Sequence, residues 1–402
     1  MKKQLLAIAV SAASVAPMAS MAQPELYGRF DVTVQSSEAL SQANGSKAAN
    51  GQNTITTGTS PTTTQVGNLP VTVPGTGRYD GSATGDQWEA RSNTSMIGVR
   101  GEKGLDTGLS AIYQLEMQFN WVASNTPNFT NRNSFAGLKG EEWGKVFVGR
   151  FDSIVKDAEF SVDQFGYTDA DIAVLFRNQN RYNNTINYHS PKIGPGIQVK
   201  AQVIPGASRQ NIDNDDRQTS IADGYGLSIG MEEGNMYGAI AYQTNVQPAG
   251  NLMNTPLQNG TNTAGRTDDA DVQTFRVSGG LDDDQFGVGF IYDMTETSAE
   301  GQTSGISYDD GKSGWLVSGR FNPTTDLAVK AQYGDSETRF LGTGDNDDRS
   351  ITSASLGADY MLGKQTKLYT FYTMNGVDGE DVNNNEDDSE FNVLAFGMQH
   401  KF

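Results

Sequence analysis

Apolar and polar residues alternate one by one over the last fourteen residues of the chain, Ser389 to Phe402. Successive side chains of a strand point to opposite faces, so one face carries bulky residues, among them Phe396 and Met398, and the other carries small or polar ones. An unpaired edge of such a strand would promote aggregation. We therefore expect a partner on both sides, as in a closed barrel with lipid around its bulky row. An edge strand of a soluble sandwich is the alternative.

The same alternation recurs along the chain and predicts sixteen strands. The first strand, Glu25 to Gln35, has apolar residues such as Leu26 and Phe30 on one face and polar residues such as Asp31 on the other. Strands 1 and 16 flank seven pairs joined by short turns: 96–101 and 109–119, 133–140 and 145–150, 182–190 and 197–204, 225–231 and 236–243, 275–281 and 286–294, 315–321 and 327–333, and 354–361 and 367–374.

Long polar connections alternate with these short turns. They cover residues 38–86, 205–222, 244–270, 295–312, 335–350 and 375–388. An even strand number, with short turns on one side and long loops on the other, is typical of bacterial outer-membrane barrels. A soluble β-solenoid would show a fixed repeat period, and these connections differ in length. The predicted fold is all-β, a 16-stranded antiparallel transmembrane β-barrel.

The first 22 residues have the features of a secretory signal peptide. Lys2 and Lys3 precede an Ala-rich apolar run, and small residues end the segment at Ser20-Met21-Ala22. We expect residues 1–22 to be removed on export and residues 23–402 to form one barrel. Beyond this leader no run approaches the roughly 20 apolar residues of a membrane helix, and a mean hydropathy of −0.50 argues against a helical bundle in lipid. The chain has no cysteine, so the barrel must be stable without disulfides.

Basic residues in the middle of the predicted strands share their faces with polar residues. A Lys or Arg facing lipid near the bilayer centre costs roughly 2–4 kcal/mol, so this placement predicts a basic wall along a wet interior. A solvated sheet face without a transport role is the alternative. The candidates are Arg29, Arg181, Lys200, Arg276, Arg320 and Lys330.

The connection from Asp152 to Arg177 differs from the other long ones because it contains nine large apolar residues. Such residues must pack against something, and the inner wall of the barrel is the nearest sheltered surface. If the connection folds inward, its carboxylates face the basic wall and narrow the opening. A lid on the rim, or a contact with a neighbouring subunit, is the alternative. The acids concerned are Asp152, Asp157, Glu159, Asp163, Asp169 and Asp171.

Several short motifs together resemble the general porins of Gram-negative outer membranes. They run through nearly the whole chain: Leu26-Tyr27-Gly28-Arg29-Phe30-Asp31, Ile97-Gly98-Val99-Arg100-Gly101, Tyr113-Gln114-Leu115-Glu116, Asn133-Ser134-Phe135-Ala136-Gly137-Leu138-Lys139-Gly140, Val148-Gly149-Arg150, Asn184-Thr185-Ile186-Asn187-Tyr188 and His400-Lys401-Phe402.

The resemblance implies a homotrimer of sixteen-stranded barrels in lipid and lipopolysaccharide, with a third loop folded into the lumen. That loop would be residues 152–177. The resemblance also implies a basic wall that includes Arg29, Arg100, Arg150 and Arg181, and it implies that the barrel assembly machinery reads the terminal Phe402. The first connection, 38–86, is longer than is usual in the family.

The expected function is passive diffusion of small hydrophilic solutes and ions through a charged constriction, with a weak preference for cations. A preference for anions is the alternative if the basic wall dominates. A substrate-specific outer-membrane channel is the alternative. The chain has two histidines, His189 and His400, and no Ser-His-Asp set is apparent, so we do not expect an enzyme. No cofactor is expected, although acidic runs such as 282–284, 213–216 and 378–388 leave weak calcium binding open.

Overall fold

The computed structural model describes residues 24–43, 64–66, 69–71, 87–122, 129–205, 221–244, 270–299, 308–341, 349–379 and 387–402. The predicted signal peptide, 1–22, lies outside these residues, as does most of the first long connection. Within them the chain forms sixteen antiparallel strands, two of which are interrupted. The predicted number of strands is confirmed.

The strands are numbered in chain order, each interrupted strand under one label. They are β1 Glu25–Ala43, β2 Gln87–Ser92 with Met96–Gly104, β3 Ser110–Phe119, β4 Phe129–Asn131 with Ser134–Gly140, β5 Gly144–Asp152, β6 Arg181–His189, β7 Ile197–Ile204, β8 Gly224–Glu233, β9 Met236–Thr244, β10 Ala270–Asp282, β11 Phe286–Ala299, β12 Tyr308–Phe321, β13 Leu327–Leu341, β14 Arg349–Met361, β15 Thr366–Gly379 and β16 Asp387–Lys401.

Three short elements complete the described residues. An α-helix, α1, spans Ile154–Asp157 and a 3-10 helix spans Ile172–Val174. Thr64–Val66 pairs with Leu69–Val71 in a separate two-stranded sheet. None of the helices in the described part of the chain is long and apolar enough to cross a membrane.

The sheet closes on itself because β1 has a partner on each edge. On one edge β1 pairs with β16, from Arg29 opposite Lys401 to Ala43 opposite Asp387. On the other edge it pairs with both parts of β2, where Leu26 lies opposite Val99 and Val34 opposite Ala90. Closure leaves no edge with unpaired backbone groups, which is the condition for strands to span a bilayer.

The two faces of the sheet differ as the alternation predicts. In β16, Phe396 is 52% exposed whereas Val393 and Ala395 are fully buried. In β1, Leu26 and Phe30 are exposed whereas Asp31 is buried. Exposed aromatic rings stand near both ends of the outer row, including Trp121 and Phe129 near the long-loop end and Phe286, Phe321 and Phe402 near the turn end, as in the aromatic girdles of outer-membrane barrels. The opposite side chains form what we call the inner row.

The strands extend further toward the long-loop end than the sequence predicts. β1 reaches Ala43 instead of Gln35, β11 reaches Ala299 instead of Met294, and β13 reaches Leu341 instead of Tyr333. The turn ends agree to within three residues, the largest difference being Gly104 instead of Gly101 in β2. Alternation stops where the outer row no longer faces lipid, but backbone pairing continues in polar sequence. The predicted connections were therefore too long.

The terminal residue is fixed against the first strand. The N–H of Phe402 donates to the carbonyl of Gly28 at 3.1 Å, and the N–H of Gly28 donates to the carbonyl of Phe402 at 3.0 Å. A Cβ at Gly28 would lie 2.6 Å from Cζ of the Phe402 ring. Glycine at this position therefore lets the ring lie flat on β1. An assembly role for Phe402 stays a prediction.

Candidate functional site

The segment between β5 and β6, residues 153–180, packs against the inner row, and we call it the docked segment. Of the nine large apolar residues that distinguish this connection in the sequence, eight are buried and Phe160 is partly buried. The prediction that these residues pack is confirmed.

Three apolar clusters hold the docked segment. Near its start, Ile154 and Val155 pack with Ala239 and Ala241 of β9. The middle cluster joins Val162, Ile172, Val174, Leu175 and Phe176 to Ile291 of β11 and Leu316 of β12. The third cluster joins Phe165 and Ala170 to Phe371 of β15 and to Phe391, Val393 and Ala395 of β16. The inner row thus provides apolar patches where the docked segment lies.

Side-chain caps set the local conformation of the docked segment. Ser153 caps α1, because its Oγ accepts the N–H of Lys156 at 3.0 Å and donates to the carbonyl of Asn178 at 2.6 Å. Asp171 caps the 3-10 helix by accepting the N–H of Ala173 at 2.8 Å. Such caps satisfy backbone donors that short helices leave unpaired.

Long polar side chains of the inner row donate to backbone carbonyls of this region. Arg276 donates to Val155 at 3.0 Å, and Lys330 donates to Gln164 at 2.9 Å. Gln332 donates to Ala170, and Gln202 donates to Asp152 at 2.9 Å. Because buried carbonyls need donors, these bonds stabilise the irregular backbone of the segment against the strands.

Acidic and basic side chains are joined directly in ion pairs. The docked segment contributes Asp157, paired with Lys200 at 2.6 Å, and Asp169, paired with Arg91. Among the inner-row pairs are Arg276 with Asp293 at 2.8 Å, Lys330 with Asp359 at 3.0 Å and Arg132 with Glu116 at 2.5 Å. The sequence led us to expect acids and bases facing one another across an opening, whereas these groups are in contact.

The basic residues singled out from the sequence occupy different surroundings. Lys200, Arg276 and Lys330 bond to the docked segment. Arg320 pairs with Asp282 at a turn. Arg100 pairs with Glu25 at 2.7 Å, and both side chains are about half exposed. Arg181 pairs with Asp152 at 3.2 Å.

Arg150 belongs to the outer row. It lies opposite Ser134 and two residues after Val148, which is 53% exposed. Its guanidinium donates to the carbonyl of Asn131 at 3.0 Å and to Asn183 at 2.6 Å. Alternation therefore removes Arg150 from the set of side chains that face the interior.

Sequence reasoning missed three residues that lie in the middle of the docked segment or bond to it. Arg91 and Arg132 adjoin the interruptions of β2 and β4, at 93–95 and 132–133, where regular alternation gives no prediction. Tyr167 lies in the docked segment, of which the sequence analysis named only the acidic residues as candidates. The one feature of the sequence that could have identified Arg91 and Arg132 is that they are basic.

Tyr167 is surrounded by cations. The guanidinium carbons of Arg29 and Arg132 lie 4.6 and 4.9 Å from its ring centroid, and Nζ of Lys156 lies 5.8 Å from it. Arg132 also donates to the Tyr167 hydroxyl at 3.2 Å. Tyr167 is 37% exposed and has φ of +70°, a conformation that is rare for a bulky residue. Asp171 stabilises that backbone by accepting the N–H of Tyr167 at 2.6 Å.

Two carboxyls of the docked segment have raised pKa values. Burial raises the pKa of Asp163 well above its ordinary value, and the charges of Asp171 and Glu159 add to the effect. Burial also raises the pKa of Glu159, opposed by Lys156, whose Nζ is 3.6 Å away. Asp163 accepts the N–H of Phe165 at 2.9 Å, which favours its ionised form but does not cancel the shift.

Two acids of the run 282–284 have protein partners. Asp282 pairs with Arg320, and Asp283 accepts the N–H groups of Gln285 and Phe286. Residues 213–216 and 380–386 lie outside the described residues. Among the residues that the structure does describe, no group of three or more His, Asp or Glu side chains could hold a metal ion.

Comparisons by sequence and by fold both match this chain to outer-membrane porins. A family model described as Gram-negative porin matches residues 7–380. The major outer membrane protein P.IB of Neisseria sicca is 25% identical over 337 residues, which cover 83% of this chain and 79% of that protein.

Two solved structures share the fold at low identity. The anion-selective porin from Comamonas acidovorans has a TM-score of 0.59 at 14% identity, covering 95% of this chain and 100% of that one. In-vitro folded OmpT of Vibrio cholerae, in its trimer form, has a TM-score of 0.58 at 13% identity with the same coverages.

The raised pKa of Asp163 predicts a stability that depends on pH. A carboxyl with a raised folded pKa stabilises the fold below the unfolded value, about 3.9 for Asp, and that contribution is lost as pH rises to the folded value. Asn cannot ionise, and its Oδ1 can still accept the N–H of Phe165. We expect Asp163→Asn to raise the midpoint of thermal unfolding at pH 7–8, with the gain shrinking toward pH 4.

Asp106→Asn is the control, because Asp106 lies in the exposed turn between β2 and β3. Thermal unfolding in detergent, followed by circular dichroism, measures the midpoints. A gain that is equal at both pH values, or a lower midpoint for Asp163→Asn at pH 8, would contradict the assignment.

Proposed function

This chain belongs to the Gram-negative porin family and is an outer-membrane channel for passive diffusion. We propose that residues 153–180 fold into its water-filled lumen and narrow it. Small hydrophilic solutes and ions enter the lumen and are sieved beside this segment. The family consists of channels and not enzymes.

The contacts of the docked segment with strands around the ring carry this proposal. It bonds to inner-row side chains of β7 through Lys200, of β10 through Arg276, of β13 through Gln332 and of β1 through Gln35. β7 and β1 lie on distant parts of the sixteen-stranded ring. One segment can reach the same face of all these strands only across the interior.

The inner row is suited to a wet channel that discriminates weakly by charge. Opposite charges ~4 Å apart interact by ~4 kcal/mol at an effective dielectric constant of ~20, so the ion pairs found here largely neutralise one another. Loop carboxylates at the mouth raise the local concentration of cations within a screening length of ~8 Å. These effects support a weak preference for cations.

Reversal potentials in a planar bilayer, measured across a tenfold gradient of potassium chloride, test the selectivity. We expect a small potential with the sign of cation preference. The Comamonas acidovorans porin that shares this fold is anion-selective, so a strong preference for chloride is the informative contrary result and would refute our assignment.

A substrate-specific channel is the second candidate, and an aromatic cluster favours it. Phe135, Phe147 and Phe151 lie on the inner row of β4 and β5, with ring centroids 4.5 to 5.7 Å apart, and His189 of β6 completes the cluster. Phe147 is fully buried, so only part of this surface is open to solutes. Reduction of single-channel current by candidate solutes separates the two functions.

The outward position of Arg150 supports a homotrimer. An arginine in the outer row, beside Asn131 and Asn183, is costly against lipid and suits a contact with another subunit. OmpT of Vibrio cholerae, which shares the fold, has a trimer form. Lipopolysaccharide around the barrel and recognition of Phe402 by the barrel assembly machinery belong to the same proposal.

Charge reversal tests the trimer contact. We expect Arg150→Glu to reduce the fraction of protein that migrates as a trimer without heating, because a carboxylate would lose the guanidinium's donors. Arg100→Glu is the matched control, since Arg100 is exposed near the turn end. Equal trimer fractions in Arg150→Glu and wild type, measured by native mass and gel mobility, would exclude Arg150 from the interface.

A single introduced cysteine tests the position of the docked segment, because the chain has none of its own. Ser161 is exposed in that segment, and Ala136 is exposed on the outer row of β4. We expect a cationic methanethiosulfonate reagent to lower the single-channel conductance of Ser161→Cys and to leave that of Ala136→Cys unchanged. Modification of Ser161→Cys without any change in current would place the segment outside the conduction path.

A further inference from the structure

Tyr167 fills a cleft beside two arginines that are also bonded to the barrel wall. Arg29 is held by a bond from Nε to the carbonyl of Thr94 at 3.0 Å. Arg132 is held by Glu116, which in turn accepts a bond from Tyr27 at 2.9 Å. Both guanidinium groups are therefore positioned by the barrel wall, and the cleft between them would keep its shape if the ring left.

The Tyr167 ring can leave more easily than its surroundings can move. Tyr167 is more than a third exposed, so its side chain is open to solvent on part of its surface. The adjacent backbone is anchored separately by Asp169, which binds Arg91 and Gln35, and by buried Phe165. The positive φ of Tyr167 shows that local strain is accepted to present this ring, a feature common at functional sites.

The cleft also contains a donor that Tyr167 does not use. Nη2 of Arg29 is buried and has no hydrogen-bond acceptor among the described residues. A phenol offers one oxygen, which Arg132 already binds. A ligand with an aromatic ring and a carboxylate would provide both a face for the guanidinium groups and acceptors for the remaining donor.

We propose that the cleft between Arg29 and Arg132 is a binding site for planar aromatic carboxylates, of which hydroxybenzoates are the simplest, and that Tyr167 occupies it as an exchangeable internal substitute. Nζ of Lys156, which also pairs with Glu159, lies 5.8 Å from the ring centroid. The site selects for planar rings because guanidinium groups stack on flat faces. This inference rests on the proposed function, since the solute must reach the docked segment through the lumen.

Removal of the Tyr167 ring tests the proposed binding site directly. We expect Tyr167→Ala to conduct more than wild type and to be blocked by 4-hydroxybenzoate at concentrations at least about tenfold lower, because the ligand no longer competes with Tyr167. Tyr167→Phe keeps a ring in the cleft and is the matched control, so its sensitivity should stay close to that of wild type. Single-channel recordings in planar bilayers measure both quantities.

Two further comparisons establish which groups recognise the ligand. Cyclohexanecarboxylate has the same charge without a flat ring, so we expect it to block Tyr167→Ala about tenfold less well. Adding Arg29→Lys to Tyr167→Ala keeps the charge but removes the planar fork, and the block by 4-hydroxybenzoate should weaken by about the same factor.

Equal block by the two acids, or no block of Tyr167→Ala at millimolar concentrations, overturns the binding site. If Tyr167→Ala conducts more than wild type but 4-hydroxybenzoate does not block it, the proposed constriction is supported and only the ligand assignment is wrong. If Tyr167→Ala conducts no more than wild type and Ser161→Cys is insensitive to its reagent, the proposed constriction fails and the binding site with it.

Discussion

The structure depends on the backbone ladder that joins the first strand to the last. β1 and β16 pair over fifteen positions, and Phe402 continues that pairing to Gly28. In lipid an unpaired N–H or C=O group costs several kcal/mol, so the sheet has to close before its bulky row can face the bilayer. Closure also explains how a chain without cysteine forms a durable exported protein, because every strand is held from both sides.

Closure creates an interior, and the interior is not uniformly wet. Ala239, Ile291, Leu316 and Phe371 stand on the inner row where alternation alone would place polar residues. They are the sites at which the docked segment packs, and their apolar character makes sense only with that segment in place. The inner row is thus divided between surface that contacts the docked segment and surface that does not.

Ionic contacts on the inner row hold the docked segment in place. Lys200 with Asp157 and Arg91 with Asp169 fix the docked segment at separate points. Groups that neutralise one another contribute little net field, which supports the weak charge selectivity that we propose. The surroundings of Tyr167 include one donor, Nη2 of Arg29, that has no acceptor among the described residues. This is the point at which we propose that a solute is recognised.

The sequence by itself determined the number of strands, the faces of β1 and β16, the turn ends and the segment that packs, because each follows from local alternation or from apolar residues in an otherwise polar connection. Tertiary structure decided how far the strands extend beyond the lipid, since pairing there needs no apolar pattern. It also decided that Arg132 and Tyr167 come together and that Arg91 contacts Asp169. Those residues adjoin interruptions or lie in irregular backbone, where side-chain direction is set by contacts between distant parts of the chain and not by a period of two.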